Sequence, residues 1–196
     1  LTAFLFLWCQ LSGTSHAFLE NFFDQLKSFK VQITQVTESP YLGATTAKGW
    51  LELQRGAGFR MAFIEGERKR FAYDGVTYIE HDLDADLLTS LPASELHREP
   101  FIEILVHGKP FAEQFLVDQL ADKSGATVFR FRPRENAEEE ASFSWRLIFN
   151  PQSKLSAFVL EDSEGHHTTL SFQDWDFTVL FPEGHFKVDV PAIPSP

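Results

Sequence analysis

Seven histidines, one cysteine and a few acidic clusters are the residues of this 196-residue chain with chemistry to offer. His16, His81, His97, His107, His166, His167 and His185 include no pair at the i, i+4 spacing that would set two imidazoles on one helix face. None of them flanks a glutamate in the pattern of a helical zinc site. His166 and His167 open a segment that reads as a strand, where successive side chains point to opposite faces. His81, Asp82 and Asp84 have the residue types of an acid–base group, but no nucleophile lies near them in the sequence. There is no G-x-S-x-G elbow, no phosphate loop and no G-x-G-x-x-G. We therefore expect no catalytic residue, no metal and no cofactor, which leaves binding.

The residue type in excess is phenylalanine: of 21, only Phe4 and Phe6 precede residue 18. Phe59, Met61 and Phe63 alternate along one segment, Leu51 and Leu53 along the one before, and Phe71 and Tyr73 along the one after. Alternation of this kind puts all of them on one face of a sheet. An apolar face is either an ordinary core or the wall of a cavity, and the alternation alone leaves both open.

The elements that would carry this face are short and close together. Phe18, Leu19, Phe22, Phe23, Leu26 and Phe29 recur at helical spacing. The period then falls to two from Phe29 to Ile33 and in Trp50–Arg55, Gly58–Ile64, Arg70–Tyr73 and Val76–His81, with turn signals between, among them Asp74-Gly75. Residues 83–114 break the pattern, and helical stretches are expected at Asp84–Leu91 and Pro100–Val106. Strands resume at Phe115–Leu120, Thr127–Arg132, Phe143–Phe149, Leu155–Asp162 and Thr168–Phe172. The acidic run Glu135–Glu140 reads as a solvated loop or hairpin tip. The expected fold is α+β, a single curved antiparallel sheet covered on one face by two or three helices.

Residues 1–17 read as a secretory leader without its basic start, an apolar run from Leu1 to Leu11 followed by Ser15-His16-Ala17 and cleavage after Ala17. Cys9 is the one residue that could accept a lipid anchor, but Trp8 precedes it where that signal wants a small side chain. The domain is then residues 18–190, with a proline-rich tail at 191–196, and it has no disulfide. The formal charge of −11 opposes nucleic acid and anionic membrane surfaces.

Several ordered pieces resemble one family. They are Phe29-x-x-x-Ile33-x-Gln35, Gly49-x-Leu51-x-Leu53-x-Arg55-x-x-x-Phe59-Arg60, Asp74-Gly75, Pro100-Phe101, Asp162-x-x-Gly165-x-x-Thr168-x-Leu170-x-Phe172 and a closing strand at Phe186. Together they are similar to LolA, the periplasmic outer-membrane lipoprotein carrier family. The resemblance implies an incomplete β-barrel with helices on its concave face, enclosing an apolar cavity for acyl chains. The cavity would be lined by Phe23, Leu26, Leu51, Leu53, Phe59, Met61, Phe63, Phe71, Tyr73, Phe101, Ile104 and Leu105, and Arg55 would bond carbonyls of the helical lid. It further implies a monomer in the periplasm, acylated lipoproteins as cargo, an inner-membrane ABC transporter as donor and an outer-membrane receptor. Where the family carries Arg-Pro, Trp, Asn and Pro-Pro-Gly, this chain has Arg55-Gly56, Met61, Thr178 and Pro191-Ala-Ile-Pro194. The alternatives are a lipid- or lipoprotein-sensing regulator or a LolB-like receptor of the same fold, and then a lipid hydrolase.

Overall fold

The computed structural model describes residues 15–96, 100–121, 125–134 and 143–188. Residues 1–14, the acidic run at 135–140 and the tail at 191–196 lie outside them. A first helix, α1, occupies residues 15–25, so the cleavage point expected after Ala17 falls within a described helix. The strands are β1 (Ser28–Ser39), β2 (Gly43–Gln54), β3 (Gly58–Glu65), β4 (Lys69–Tyr73), β5 (Thr77–Asp82) and β6 (Leu87–Pro92). After a 3-10 turn at Ala93–Glu95 come α2 (Pro100–Leu105) and α3 (Phe111–Gln114). β7 (Phe115–Ala121), β8 (Thr127–Pro133), β9 (Phe143–Phe149), β10 (Leu155–Asp162) and β11 (His167–Asp176) complete the order.

All eleven strands form one sheet in the order β6-β5-β4-β3-β2-β1-β11-β10-β9-β8-β7. β1 joins the halves. It pairs with β2 from Ser28↔Gln54 to Ser39↔Gly43 and with β11 through Ile33↔Phe172 and Glu38↔His167, both antiparallel. Every other hydrogen-bonded neighbour is also a neighbour in sequence, so each half is a meander. The single exception is the step from β6 to β7, which lie at opposite edges. These unpaired edges leave the sheet open, an incomplete barrel rather than a closed one. The passage from one edge to the other carries α2 and α3.

The side chains expected on one face are on one face. β2–β3 pairing sets Leu51 opposite Met61 and Leu53 opposite Phe59, and β3–β4 pairing sets Phe59 opposite Tyr73 and Met61 opposite Phe71. This concave face packs under the helices in one core. Phe111 of α3 is wholly buried, stacked on Phe23 of α1 at 5.0 Å and set against Phe115 at 4.8 Å. Phe101 of α2 meets Phe115, Phe131, Trp145 and Phe158 at ring separations of 5.3–5.9 Å. Burial of a phenylalanine contributes roughly 1.5–3 kcal/mol, so these rings account for much of the hold between helices and sheet. Gly49 permits the close approach of β2 and β3, since a Cβ there would stand 1.8 Å from the Ala62 carbonyl oxygen.

Two expectations are corrected. Asp84–Leu91 is not helical: residues 83–86 turn and Leu87–Pro92 is the edge strand β6. Asp82 Oδ1 accepts the backbone N–H groups of Asp84 and Ala85, both at 3.0 Å, and Asp86 takes φ 50°. An aspartate serving its own turn in this way competes with helix formation, and strand pairing then takes the leucines. Phe186 belongs to a turn at residues 183–186 and not to a strand. It is nonetheless buried, against Phe181 at 4.9 Å.

That turn is part of a strap, residues 177–188, laid on the convex side. Ser28 Oγ donates to Val179 O at 3.3 Å, Val188 N donates to Asp74 Oδ2 at 3.1 Å, and His185 Nε2 lies 2.9 Å from Glu52 Oε2. Glu52 is 7% exposed and also receives Lys30 Nζ at 2.8 Å. Burial alone would raise its pKa, but the hydrogen bonds and charges of Lys30 and His185 outweigh this and hold it below the ordinary 4.5. A carboxylate depressed in the native state contributes stability that is complete above about pH 4.5 and lost as pH falls through the native value. Acid titration followed by circular dichroism should show this loss, and Glu52→Gln should flatten that part of the profile while lowering stability at pH 7.

Candidate functional site

The site is the concave face and the helices above it. Of the residues expected to line a cavity, Phe23, Leu26, Leu53, Phe63, Tyr73 and Ile104 are buried in the core. Leu51, Phe59, Met61, Phe71, Phe101 and Leu105 are only partly buried and pack against it. The other half of the sheet has a matching set in Phe158, Leu170 and Phe172, which register places on the same face. The lid therefore leaves a band of the apolar face half covered. Such a surface is an incomplete core in water and a ready wall for an apolar ligand.

Arg55 sits in the turn between β2 and β3, facing the lid. Its Nη2 donates to the Phe23 carbonyl at 2.5 Å, in the last turn of α1, an oxygen that also accepts Leu26 N at 3.0 Å. Nη1 is 3.6 Å from Asp24 Oδ1. The next residue ties the other helix: Gly56 N donates to Val106 O, just past α2, at 2.8 Å. Gly108, at φ 70°, passes close to the guanidinium, since a Cβ there would come within 3.2 Å of Arg55 Cδ. One hairpin turn thus holds the ends of both α1 and α2. Arg55 Nε is buried with no hydrogen-bond partner, so this hold is incomplete.

Other contacts of the lid escape sequence reasoning. Pro110 caps α3 without a side-chain bond. The carboxylate of Glu20 in α1 does that work, accepting Phe111 N at 3.0 Å and Ala112 N at 2.6 Å. Glutamate at a helix N-terminus is favourable by charge as well as by hydrogen bonding, but no local pattern links residue 20 to residue 111. Below α2, Tyr73 OH lies 3.2 Å from His107 Nε2, and the buried Glu103 pairs with Lys109. Burial, Glu103 and Asp74 together push the Tyr73 phenol up from its usual pKa. Tyr73, Glu103 and His107 border a 280 Å³ cleft between α2 and the Ala93–Glu95 turn.

The histidine clusters resolve into local pairs. His166 Nδ1 bonds Asp162 Oδ2 at 2.9 Å and His167 Nε2 is 3.2 Å from Glu161 Oε1. Asp84 is taken by Arg68 at 2.6 Å. Among the described residues, no group of three or more His, Cys, Asp or Glu side chains could hold a metal ion.

The family described as "Outer membrane lipoprotein carrier protein LolA" matches residues 24–189. An outer-membrane lipoprotein carrier protein of Leptothrix cholodnii is 27% identical over 177 residues, 89% of this chain and 81% of that protein. Among solved structures, a DUF1329 family protein from Desulfovibrio piger aligns with a TM-score of 0.50 at 9% identity, over 90% of this chain and 97% of that one. A LolA superfamily protein from Nitrosomonas europaea aligns with a TM-score of 0.47 at 10% identity, over 83% and 91%.

The lid contacts differ in what they should cost. Glu20→Ala leaves two N–H groups of α3 without their acceptor and should lower stability by about 1–2 kcal/mol in urea titration.

Proposed function

This chain belongs to the LolA family of outer membrane lipoprotein carrier proteins, and from that membership we propose that it is a periplasmic carrier of the acyl chains of lipoproteins. The observation that carries the reading is a half-covered apolar face beneath helices tied down by a few hydrogen bonds from one turn, at Arg55 and Gly56. The carrier would receive its cargo from an ABC transporter of the inner membrane and pass it to a receptor at the outer membrane.

The physical problem is the cost of acyl chains in water. At about 0.8 kcal/mol per CH₂, a sixteen-carbon chain carries on the order of 12 kcal/mol against leaving a membrane. A carrier offsets this by giving the chain an apolar wall, here Leu51, Phe59, Met61 and Phe71, with the underside of α2. Delivery demands the opposite property, because a wall that held the chain too well would not release it. Hydrogen bonds of about 1 kcal/mol net from Arg55 to α1 and from Gly56 to the end of α2 favour the closed, empty form without locking it. Met61 suits such a wall, since an unbranched thioether adapts to chains of different shape.

Purified protein should take up a fluorescent fatty-acyl probe saturably, with displacement by a lipoprotein. Phe59→Glu should weaken that uptake by about tenfold or more, because a carboxylate in an apolar wall is costly. Arg55→Leu should change the rates of loading or release with little change in melting temperature. Lack of saturable uptake of any acyl probe would end the carrier reading, and a collapse of the Arg55→Leu melting temperature would make Arg55 a structural residue.

A further inference from the structure

The opposite, convex face of the sheet has a feature that lipid carriage does not use. Pairing across β2 to β6 sets Trp50, Ala62, Arg70, His81 and Leu88 in one transverse row. A second row runs from Glu52 through Arg60 and Ala72 to Ile79. Ala62 and Ala72 are buried although they face outward, because larger neighbours stand around them. The result is a trench of 610 Å³ with an alanine floor and with Trp50, Ile64, Ile79 and Leu88 among its walls. Ile64 is 64% exposed and Leu88 36%.

The charge in this trench runs against the rest of the chain. Arg60 and Arg70 both line it and are exposed, and among the described residues neither forms an ion pair within 4.0 Å, in a protein of net charge −11. Glu52, the carboxylate across the ladder from Arg60, is already engaged by Lys30 and His185. Arg70 faces Ala62 on one side and His81 on the other. Asp86 stands at the β6 end, 3.9 Å from His81 Nε2. We propose that this trench docks an extended segment of a partner protein that carries apolar and acidic side chains together on one face, at every second residue. Its apolar groups would lie on the alanine floor and its carboxylates would pair with Arg60 and Arg70.

The dimensions fit such a segment. Four strand spacings of about 4.8 Å give a trench of roughly 19 Å, the length of about six extended residues. Depth also separates this partner from a membrane. A bilayer surface requires protruding apolar groups, whereas here the centre, at Ala62 and Ala72, is recessed. Guanidinium groups are suited to paired recognition of carboxylates. Met61 and Phe71 also border the trench, but register sets their side chains on the concave face, and the proposal does not rest on acyl-chain carriage.

The test uses the intact chain and a fluorescein-labelled synthetic hexapeptide with glutamate at its first and fifth positions, leucine at its third and serine between them, so that all three share one face; it is read by anisotropy, with the peptide carrying lysine in place of glutamate and phosphatidylglycerol vesicles as the other arms. The acidic peptide should bind saturably and the lysine peptide should not. Arg60→Glu with Arg70→Glu should weaken binding by at least about tenfold, with unchanged circular dichroism and unchanged uptake of the acyl probe. Arg70→Gln alone should weaken it less, and serves if the double variant misfolds. Absence of acidic-peptide binding, equal binding of the lysine peptide, or indifference to the arginine substitutions overturns the proposal. Displacement of the peptide by the vesicles overturns it too, by identifying a lipid-facing surface.

Discussion

The double pairing of β1 is the constraint from which the architecture follows. With β2 on one side and β11 on the other, the first and last strands of the chain become the middle of the sheet, and the middle of the chain is driven to the edges. β6 and β7, consecutive in sequence, end at opposite sides. The chain between them has to travel across a face of the sheet. It takes the concave one, because α2 and α3 present Phe101, Ile104 and Phe111 to the aromatic side chains there. The lid is thus a consequence of strand order: a segment obliged to cross an apolar surface becomes its cover.

This origin explains why the cover is partial. Two helices of six and four residues are too short to stand alone, and depend on α1, on the Arg55 turn and on the Glu20 carboxylate. What they shield well is the half nearest β7 to β9, where Phe115, Phe129, Phe131 and Phe149 are fully buried. The β3–β4 side keeps Phe59, Met61 and Phe71 half covered. Phe158, Leu170 and Phe172 are likewise only partly buried, so the fully covered part of the concave face is the aromatic block of β7 to β9.

Much of this was legible in the sequence, and the exceptions have physical causes. Alternation at Leu51, Leu53, Phe59, Met61, Phe63, Phe71 and Tyr73 identifies one face because period two leaves no other geometry, and register confirms it. The leucines of β6 misled because Leu87, Leu88 and Leu91 also match helical spacing; an edge strand has weak alternation of its own, and its turn was set by Asp82 and Asp86. Phe186 has the composition of a strand residue but finds its burial within a turn. Glu20 and Glu52 were silent because their partners are distant in sequence, at Phe111 and Ala112 and at Lys30 and His185. The trench was silent for a different reason: its floor is made of alanines on outward-facing positions, which become a depression only when five strands are aligned.

The central place of β1 also bears on the order in which the molecule can assemble. Thr37 and Thr168 lie side by side although 131 residues separate them. The two meanders are built from local pairings and can form early, but the seam joining them is of high contact order, and loop closure must precede any gain from it. Until β11 arrives, β1 has only one partner and the concave face lacks half its breadth. Folding to completion is therefore a late, concerted event for this chain, and a truncation that removes β11 should leave a sticky half-sheet with an open edge rather than a smaller version of the native molecule.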